Sequence, residues 1–97
     1  MAFIQIIELT TKKFEGLEEL NEQWRKATEG VRTLRRELVT RDRNNPDRYL
    51  IVAIFDSYES AMENSALPAT KEISGRFGEF VDGPIVFHDL DVIGDRS

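Results

Sequence analysis

His88 is the one histidine of this chain, and histidine is the side chain best suited to acid–base chemistry near neutral pH. By the alternation of side chains along a strand, His88 shares a face with three apolar residues, Val86, Leu90 and Val92. If that face lies against helices, His88 can act as a general base in the wall of a pocket. The commoner alternative is a core histidine hydrogen-bonded to a backbone carbonyl group.

Two aromatic residues are candidates for the wall of the same pocket. Trp24 lies on an apolar stripe of the first predicted helix, and Phe77 faces inward from a later helical segment. Small-molecule sites are mostly apolar, so both residues are predicted to contact a substrate between helices and sheet. A tryptophan on such a stripe is more often simply part of the core.

Charged residues on the predicted strands point less clearly to a site. Asp89 and Asp91 share a face and could hold a hard cation, but no third oxygen ligand is evident nearby, so no metal site is expected. Four arginines could steer an anionic ligand. They divide between the two faces of one strand, which favours edge protection or interface ion pairs; they are Arg32, Arg35, Arg36 and Arg41.

The elements that must position these residues centre on the uncharged stretch Tyr49 to Phe55. It is short and rich in β-branched and aromatic residues, which predicts a strand. Both of its faces are apolar, as are those of a first strand from Phe3 to Leu9. The remaining predicted elements are a helix over 15–29, an edge strand over 32–41, a short helix capped by Ser57, a second helical piece over 68–81 and a strand over 85–93.

This order of elements predicts one α+β domain spanning residues 1–97. A strand, helix, strand, strand, helix, strand sequence gives a ferredoxin-like βαββαβ fold, with a four-stranded antiparallel sheet and its helices on one face. The first and third strands are central in that arrangement. Because both are apolar on both faces, we expect the open sheet face to pack against a second copy, forming a homodimer.

Composition excludes several classes of function. The net charge of −5 argues against general affinity for nucleic acid or anionic membranes, although the segment from Arg25 to Arg48 has eight basic and four acidic residues. The sequence contains no run long enough to span a bilayer, no recognisable signal peptide and no cysteine. We therefore expect a cytoplasmic protein. No phosphate-binding loop, dinucleotide fingerprint or zinc cluster is present.

The stretch from Tyr49 to Pro68 resembles the antibiotic biosynthesis monooxygenase-like family of dimeric α+β barrels. The strand is followed by the residues DSYESAMENSALP, which are similar to the family's pattern of Ser-x-Glu-x-Ala, then a polar residue, then a small residue or proline. About twenty residues match closely, and the rest of the chain matches by length and element order. The barrel hosts both enzymes and non-enzymes, so the resemblance implies the fold more strongly than the activity.

For function, the resemblance implies binding of a hydrophobic or aromatic small molecule between sheet and helices. It also implies cofactor-independent oxygenation, in which the substrate itself reduces dioxygen. Asn64 corresponds to a polar pocket residue of some relatives and is predicted to bind substrate, while Arg76 corresponds to an arginine of the family and joins His88 as a catalytic candidate. The alternative is a non-catalytic ligand-binding, regulatory or accessory barrel.

Two departures from the family bear on its activity, and the first of them favours that alternative. The asparagine and tryptophan of the cofactor-free enzymes align with Val52 and Asp56 here. Haem-degrading relatives supply an iron-ligating histidine after the third strand, and no histidine lies between Ser57 and Val81. No haem or other cofactor is therefore expected.

Overall fold

A computed structural model describes all residues, 1–97. None of its helices has the length and apolar character needed to cross a membrane. The chain forms four strands, three α-helices and a short 3-10 helix. In chain order these are β1 (Phe3–Thr10), α1 (Phe14–Ala27), β2 (Arg36–Asp42), β3 (Asn45–Phe55), α2 (Tyr58–Ala66), α3 (Pro68–Ser74), the 3-10 helix (Phe77–Glu79) and β4 (Val86–Asp91).

The strands form one antiparallel sheet in the order β2-β3-β1-β4. The predicted α+β, ferredoxin-like arrangement is confirmed, with β1 and β3 in the centre. Their pairing places Phe3 opposite Phe55 and Leu9 opposite Tyr49. Since cross-strand partners point to the same side of a sheet, these four residues share one face. All four are buried.

The core lies between that face and the helices. Leu17, Leu20 and Trp24 of α1 are buried, at the three- and four-residue spacing that the sequence shows. Ala61 of α2 packs with Phe3 and Phe55, while Ile73 of α3 packs with Leu20 and Trp24. The helices therefore cover a single side of the sheet.

The opposite side, which we call the open face, has no cover in the single chain. Its central residues are Ile4 and Ile6 of β1 and Leu50, Val52 and Ile54 of β3, all half-buried by their strand neighbours alone. At the edges, Leu38, Val86 and Leu90 expose 39%, 41% and 44% of their surface. The open face is thus a largely apolar surface, as the two-sided pattern of β1 and β3 predicts.

Element boundaries differ from the prediction in three places. Helix α1 ends at Ala27, because the Thr28 hydroxyl donates to the Trp24 carbonyl group and competes with continuation of the helix. Strand β2 begins at Arg36, and β3 begins already at Asn45, so the hairpin turn is shorter than predicted. The helical segment after Pro68 divides into α3 and the 3-10 helix, and β4 is shorter than 85–93.

Two local features of the sequence fix the positions of the helices. Ser57 caps α2 as predicted, with its hydroxyl accepting from the Ser60 N–H at 3.0 Å. Gly16 lets α1 approach Phe80 closely, because a β-carbon at that position would collide with the Phe80 ring. The two features hold the helical layer against one face of the sheet, Ser57 at the end where β3 finishes and Gly16 at the end where β1 finishes.

Candidate ligand-binding cavity

A cavity of about 140 Å³ lies between the sheet and the three helices. Side chains from β1, β2 and β3 form its floor, and α1, α2 and α3 form its walls together with Phe77. Most of the lining is apolar or aromatic, with a small set of polar residues. That combination is typical of small-molecule sites.

Trp24 forms one wall and is held rigidly in place. Its indole N–H donates to the Thr70 hydroxyl of α3 at 2.8 Å, and the Arg32 guanidinium lies 5.9 Å from the ring centre. The indole edge thereby ties α1 to α3 across the cavity. Phe14, Phe55 and Phe77 add aromatic surface. Trp24 and Phe77 both lie in the cavity wall, and their role in binding a substrate stays a prediction.

The space exists because the floor carries a small residue at its centre. Ala53 of β3 lies between Glu37 of β2 and Gln5 of β1 in one cross-strand row. A methyl group there leaves room above the sheet that a larger side chain would fill. Ile51 and Phe55, the neighbouring residues on the same face of β3, border this gap.

Glu37 brings a carboxyl group into this mostly apolar space. Burial raises the pKa of Glu37 above its usual value, while the nearby charge of Arg25 and a hydrogen bond from Asn21 oppose that rise. The Asn21 amide N–H donates to Glu37 Oε1 at 3.3 Å. Glu37 is therefore a partly desolvated carboxyl group in the lining of the cavity, with a raised pKa.

Asn64 is buried at the seam between α2 and α3 and lines the cavity. Its side-chain oxygen accepts from the Thr33 N–H at 3.2 Å, which anchors the segment leading into β2. The structure thus places Asn64 in the lining, where the resemblance puts a polar pocket residue. Its oxygen already has a structural partner, and contact with a substrate stays a prediction.

His88 lies outside the cavity, so the prediction that its face lines the helix-side wall is wrong. Strand β4 pairs with β1 so that His88 is opposite Ile6, a residue of the open face. Val86 and Leu90 share that face, as predicted, but the face points away from the helices. Trp24 and His88 therefore lie on opposite sides of the sheet, and His88 cannot act as a base in this cavity.

On the open face, His88 belongs to a polar cluster of four residues. His88 Nε2 lies 3.1 Å from Glu8 Oε1, and Arg48 pairs with Glu8 at 3.0 Å and with Asp42 at 2.9 Å. The hydrogen bond to His88 and then the guanidinium of Arg48 hold the pKa of Glu8 below its usual value. We call these residues the Arg48 cluster.

Arg76 also lies outside the cavity lining, which corrects its prediction as a polar group of the pocket. It is exposed, and its guanidinium donates to the Gln23 side-chain oxygen at 3.3 Å. The residue begins the turn into the 3-10 helix, where its side chain follows the outer surface of α1. A catalytic contact with a molecule in the cavity is not available to it in this arrangement.

The positions that resemble the family's asparagine and tryptophan offer no chemistry to the cavity. Val52 points to the open face, and Asp56 is an exposed partner of Arg35, with a shortest distance of 2.6 Å between them. The residues of β3 that do face the cavity, Ile51, Ala53 and Phe55, are apolar. Strand β3 therefore supplies no polar side chain to the cavity.

The two aspartates of β4 point to the helix-side face, beyond the cover of the helices. Asp89 accepts from the Gln5 side-chain amide at 3.0 Å. No three histidine, aspartate or glutamate side chains are grouped in a way that could hold a metal ion.

Glu37, Asn21 and Gln5 also line the cavity, although the sequence pattern does not single them out. A signal for Glu37 was available, because it is the single acid in the segment 32–41 and shares strand parity with Val39. Its position opposite Ala53, the smallest residue of the central strand, required the register of β2 against β3. The sequence does not give that register.

Comparison with solved structures shows the fold. A protein from Caulobacter crescentus CB15, provisionally named an antibiotic biosynthesis monooxygenase, superposes with a TM-score of 0.81 at 14% identity, covering 96% of this chain and 91% of that chain. A conserved protein from Methanosarcina mazei Go1 gives 0.80 at 15% identity, covering 93% and 91%. A variant of SnoaB, a cofactor-independent oxygenase from Streptomyces nogalater, gives 0.80 at 9% identity, covering 97% and 95%.

Many further structural neighbours bear the name antibiotic biosynthesis monooxygenase, consistent with the resemblance noted in the sequence. The sequence matches no protein-family model and no curated protein. The chain thus has the fold of the antibiotic biosynthesis monooxygenase-like proteins.

The raised pKa of Glu37 predicts a pH-dependent cost to folding. The unfolded chain loses this proton at a lower pH than the folded chain, so the stability relative to a neutral side chain falls as pH rises through the folded-state pKa. Near about pH 3 the Glu37 carboxyl group is protonated in both the folded and the unfolded chain, so we expect Glu37→Gln to have the melting temperature of the wild type. At about pH 7 we expect the variant to melt a few degrees higher than the wild type.

Thermal unfolding followed by circular dichroism at several pH values measures this difference. Glu18→Gln controls for the loss of one negative charge at the same cavity, since Glu18 is exposed. A Glu37→Gln protein that is less stable at neutral pH than at acid pH, relative to the wild type, would contradict the assignment.

Proposed function

We propose that the protein binds a small, largely apolar molecule in the cavity between sheet and helices. The observation that carries this proposal is the cavity itself, which combines aromatic walls with a few polar groups around a floor opened by Ala53. Trp24, Phe77 and Asn64 are the residues that we expect to contact the ligand. Binding requires neither a metal nor a cofactor.

We further propose that the functional unit is a homodimer joined through the open face. The apolar residues of that face come from all four strands, and sheet-to-sheet packing across a two-fold axis would bury them. A second copy is the partner that presents the same shape and the same pattern. The helices and the cavity lie on the other side and would remain accessible.

Cofactor-independent oxygenation is the second candidate function. It is supported by the structural neighbour SnoaB, a cofactor-independent oxygenase, together with a cavity suited to an aromatic molecule. In such a reaction the substrate supplies the electrons, so that one oxygen atom enters the product and the other leaves as water. The apolar inner face of β3 favours ligand binding alone as the first candidate.

The binding proposal predicts that filling the floor of the cavity abolishes ligand binding. Ala53→Leu places three more carbon atoms in the cavity, so we expect affinity for propylbenzene, a neutral aromatic probe, to fall at least about tenfold. The chain has one tryptophan, and it lies in the cavity wall, so Trp24 fluorescence reports binding directly.

Ala66→Leu is the matched control, because it makes the same change at an exposed position at the end of α2. We expect it to bind the probe like the wild type. Thermal unfolding of both variants shows whether they remain folded. A wild-type protein whose Trp24 emission is unchanged by saturating propylbenzene would refute the binding proposal.

The dimer proposal predicts a particle of twice the chain mass of 11.2 kDa at micromolar concentration. Leu90→Asp places a charge on the open face without disturbing the core, since Leu90 is exposed in the single chain. We expect the dimer dissociation constant to rise by at least about tenfold, because the charge would be buried without a partner.

Sedimentation velocity across a dilution series measures this change. Val31→Asp introduces the same charge at another exposed apolar residue, away from the sheet, and should leave the dimer intact. A wild-type protein that sediments as a single chain at all these concentrations would exclude the dimer.

The oxygenation candidate predicts dioxygen uptake by the purified protein with an electron-rich aromatic such as 1-naphthol, without added metal or cofactor. An oxygen electrode measures the rate, and Ala53→Leu should remove it because the substrate can no longer enter. Binding of aromatic probes without any oxygen uptake would leave ligand binding as the function and exclude this second candidate for such substrates.

A further inference from the structure

Two carboxyl side chains line the cavity, and they differ in their surroundings. Glu18 of α1 is exposed at the rim, whereas Glu37 of β2 is half-buried beside the small residue Ala53. A carboxyl group in a mostly apolar space is costly unless something compensates for its lost hydration. The Glu37 carboxyl group therefore requires a hydrogen-bond donor or a compensating charge in place of the lost water.

The protein itself supplies only part of that compensation. The Asn21 amide donates to Glu37 Oε1 at 3.3 Å, which is long for a hydrogen bond of this type. None of the four ion pairs of the protein involves Glu37. A carboxylate can accept about four hydrogen bonds, so Glu37 has acceptor sites left for a molecule in the cavity.

The charges around Glu37 restrict what that molecule carries. Arg25, on the last turn of α1, lies near enough to act electrostatically on the Glu37 carboxyl group, and Arg32 and Arg35 lie on the segment before β2. The positive charge of Arg25 already acts on Glu37 and disfavours a cationic ligand beside it. An anionic ligand would meet Glu37 and Glu18. A neutral group with a hydrogen atom to donate suits both conditions, and a hydroxyl group is the simplest of these.

We propose that the cavity selects a neutral hydroxylated aromatic molecule, whose hydroxyl group donates a hydrogen bond to the Glu37 carboxyl group while its ring packs among Trp24, Phe77 and Phe55. This inference rests on the proposed binding function and adds the chemical class of the ligand. Glu37 is then the polar anchor of the site, and Asn21 orients it.

Such a site is selective because it binds a molecule without the hydrogen-bond donor more weakly than the hydroxylated ligand. A molecule of the same shape without the donor covers Glu37 and leaves its oxygen atoms without a partner. Sites built to receive a hydroxyl group discriminate strongly for this reason. We therefore expect the ligand with the donor to bind more tightly, even though its analogue is more apolar.

The test compares two probes of nearly equal size, 4-propylphenol and 4-propyltoluene, which differ by a hydroxyl and a methyl group. Trp24 fluorescence, excited at the red edge of tryptophan absorption where phenols absorb little, gives both affinities. We expect the wild type to bind the phenol at least about tenfold more tightly. Glu37→Leu should abolish or reverse that preference while retaining affinity for 4-propyltoluene.

Glu18→Leu is the matched control, because it removes the other carboxyl group of the cavity and should keep the preference for the phenol. Glu37→Gln, which changes the shape least, guards against a folding defect in Glu37→Leu and should weaken the preference at least about threefold. Circular dichroism checks that each variant is folded.

The possible failures are distinguishable. If the wild type binds both probes with equal affinity, or if Glu37→Leu keeps the wild-type preference, the assignment of Glu37 is overturned while ligand binding stands. If the wild type binds neither probe nor propylbenzene, the proposed binding function falls, and this inference falls with it.

Discussion

The two central strands are apolar on both faces, and the rest of the structure depends on that constraint. One face of β1 and β3 is buried against the helices, with Phe3, Leu9, Tyr49 and Phe55 almost fully removed from solvent. The other face stays uncovered because a chain of 97 residues forms a single helical layer. The helices of the chain thus bury one apolar face of the sheet, whereas burial of the other face requires a surface from outside the chain.

The cavity is a consequence of how the first face is filled. Large side chains at both ends of the sheet bring the helices to a fixed height, and Ala53 at the centre cannot fill the space below them. The hydrogen bond between Trp24 and Thr70 fixes the position of α1 relative to α3 beside the gap. The space is therefore maintained by rigid aromatic walls, which is a favourable arrangement for binding because little order has to be gained when a ligand enters.

The sequence predicts the fold well because its signals are periodic. The stripe on α1, the capping residue Ser57 and the two-sided strands each identify an element, and the order of the elements identifies the topology. The lining residues Trp24 and Phe77 follow from the apolar stripes, whereas Asn64 follows from the family resemblance. His88 shows what the alternation of side chains along a strand does not determine. Alternation groups it correctly with Val86 and Leu90, but only the pairing with Ile6 decides which face of the sheet that group occupies. Glu37 was missed for a related reason, since its closeness to Ala53 depends on strand register.

The Arg48 cluster has a consequence for any surface that covers the open face. Glu8, Arg48, Asp42 and His88 satisfy one another while water surrounds them, with side chains between 23% and 44% exposed. Removing that water without replacement carries a desolvation penalty that can exceed the Coulombic attraction within the cluster. An incoming surface must therefore align polar groups, or trapped water, with this one corner. The Arg48 cluster contributes little binding energy to such a contact, but it restricts the orientation in which another surface can pack on the open face.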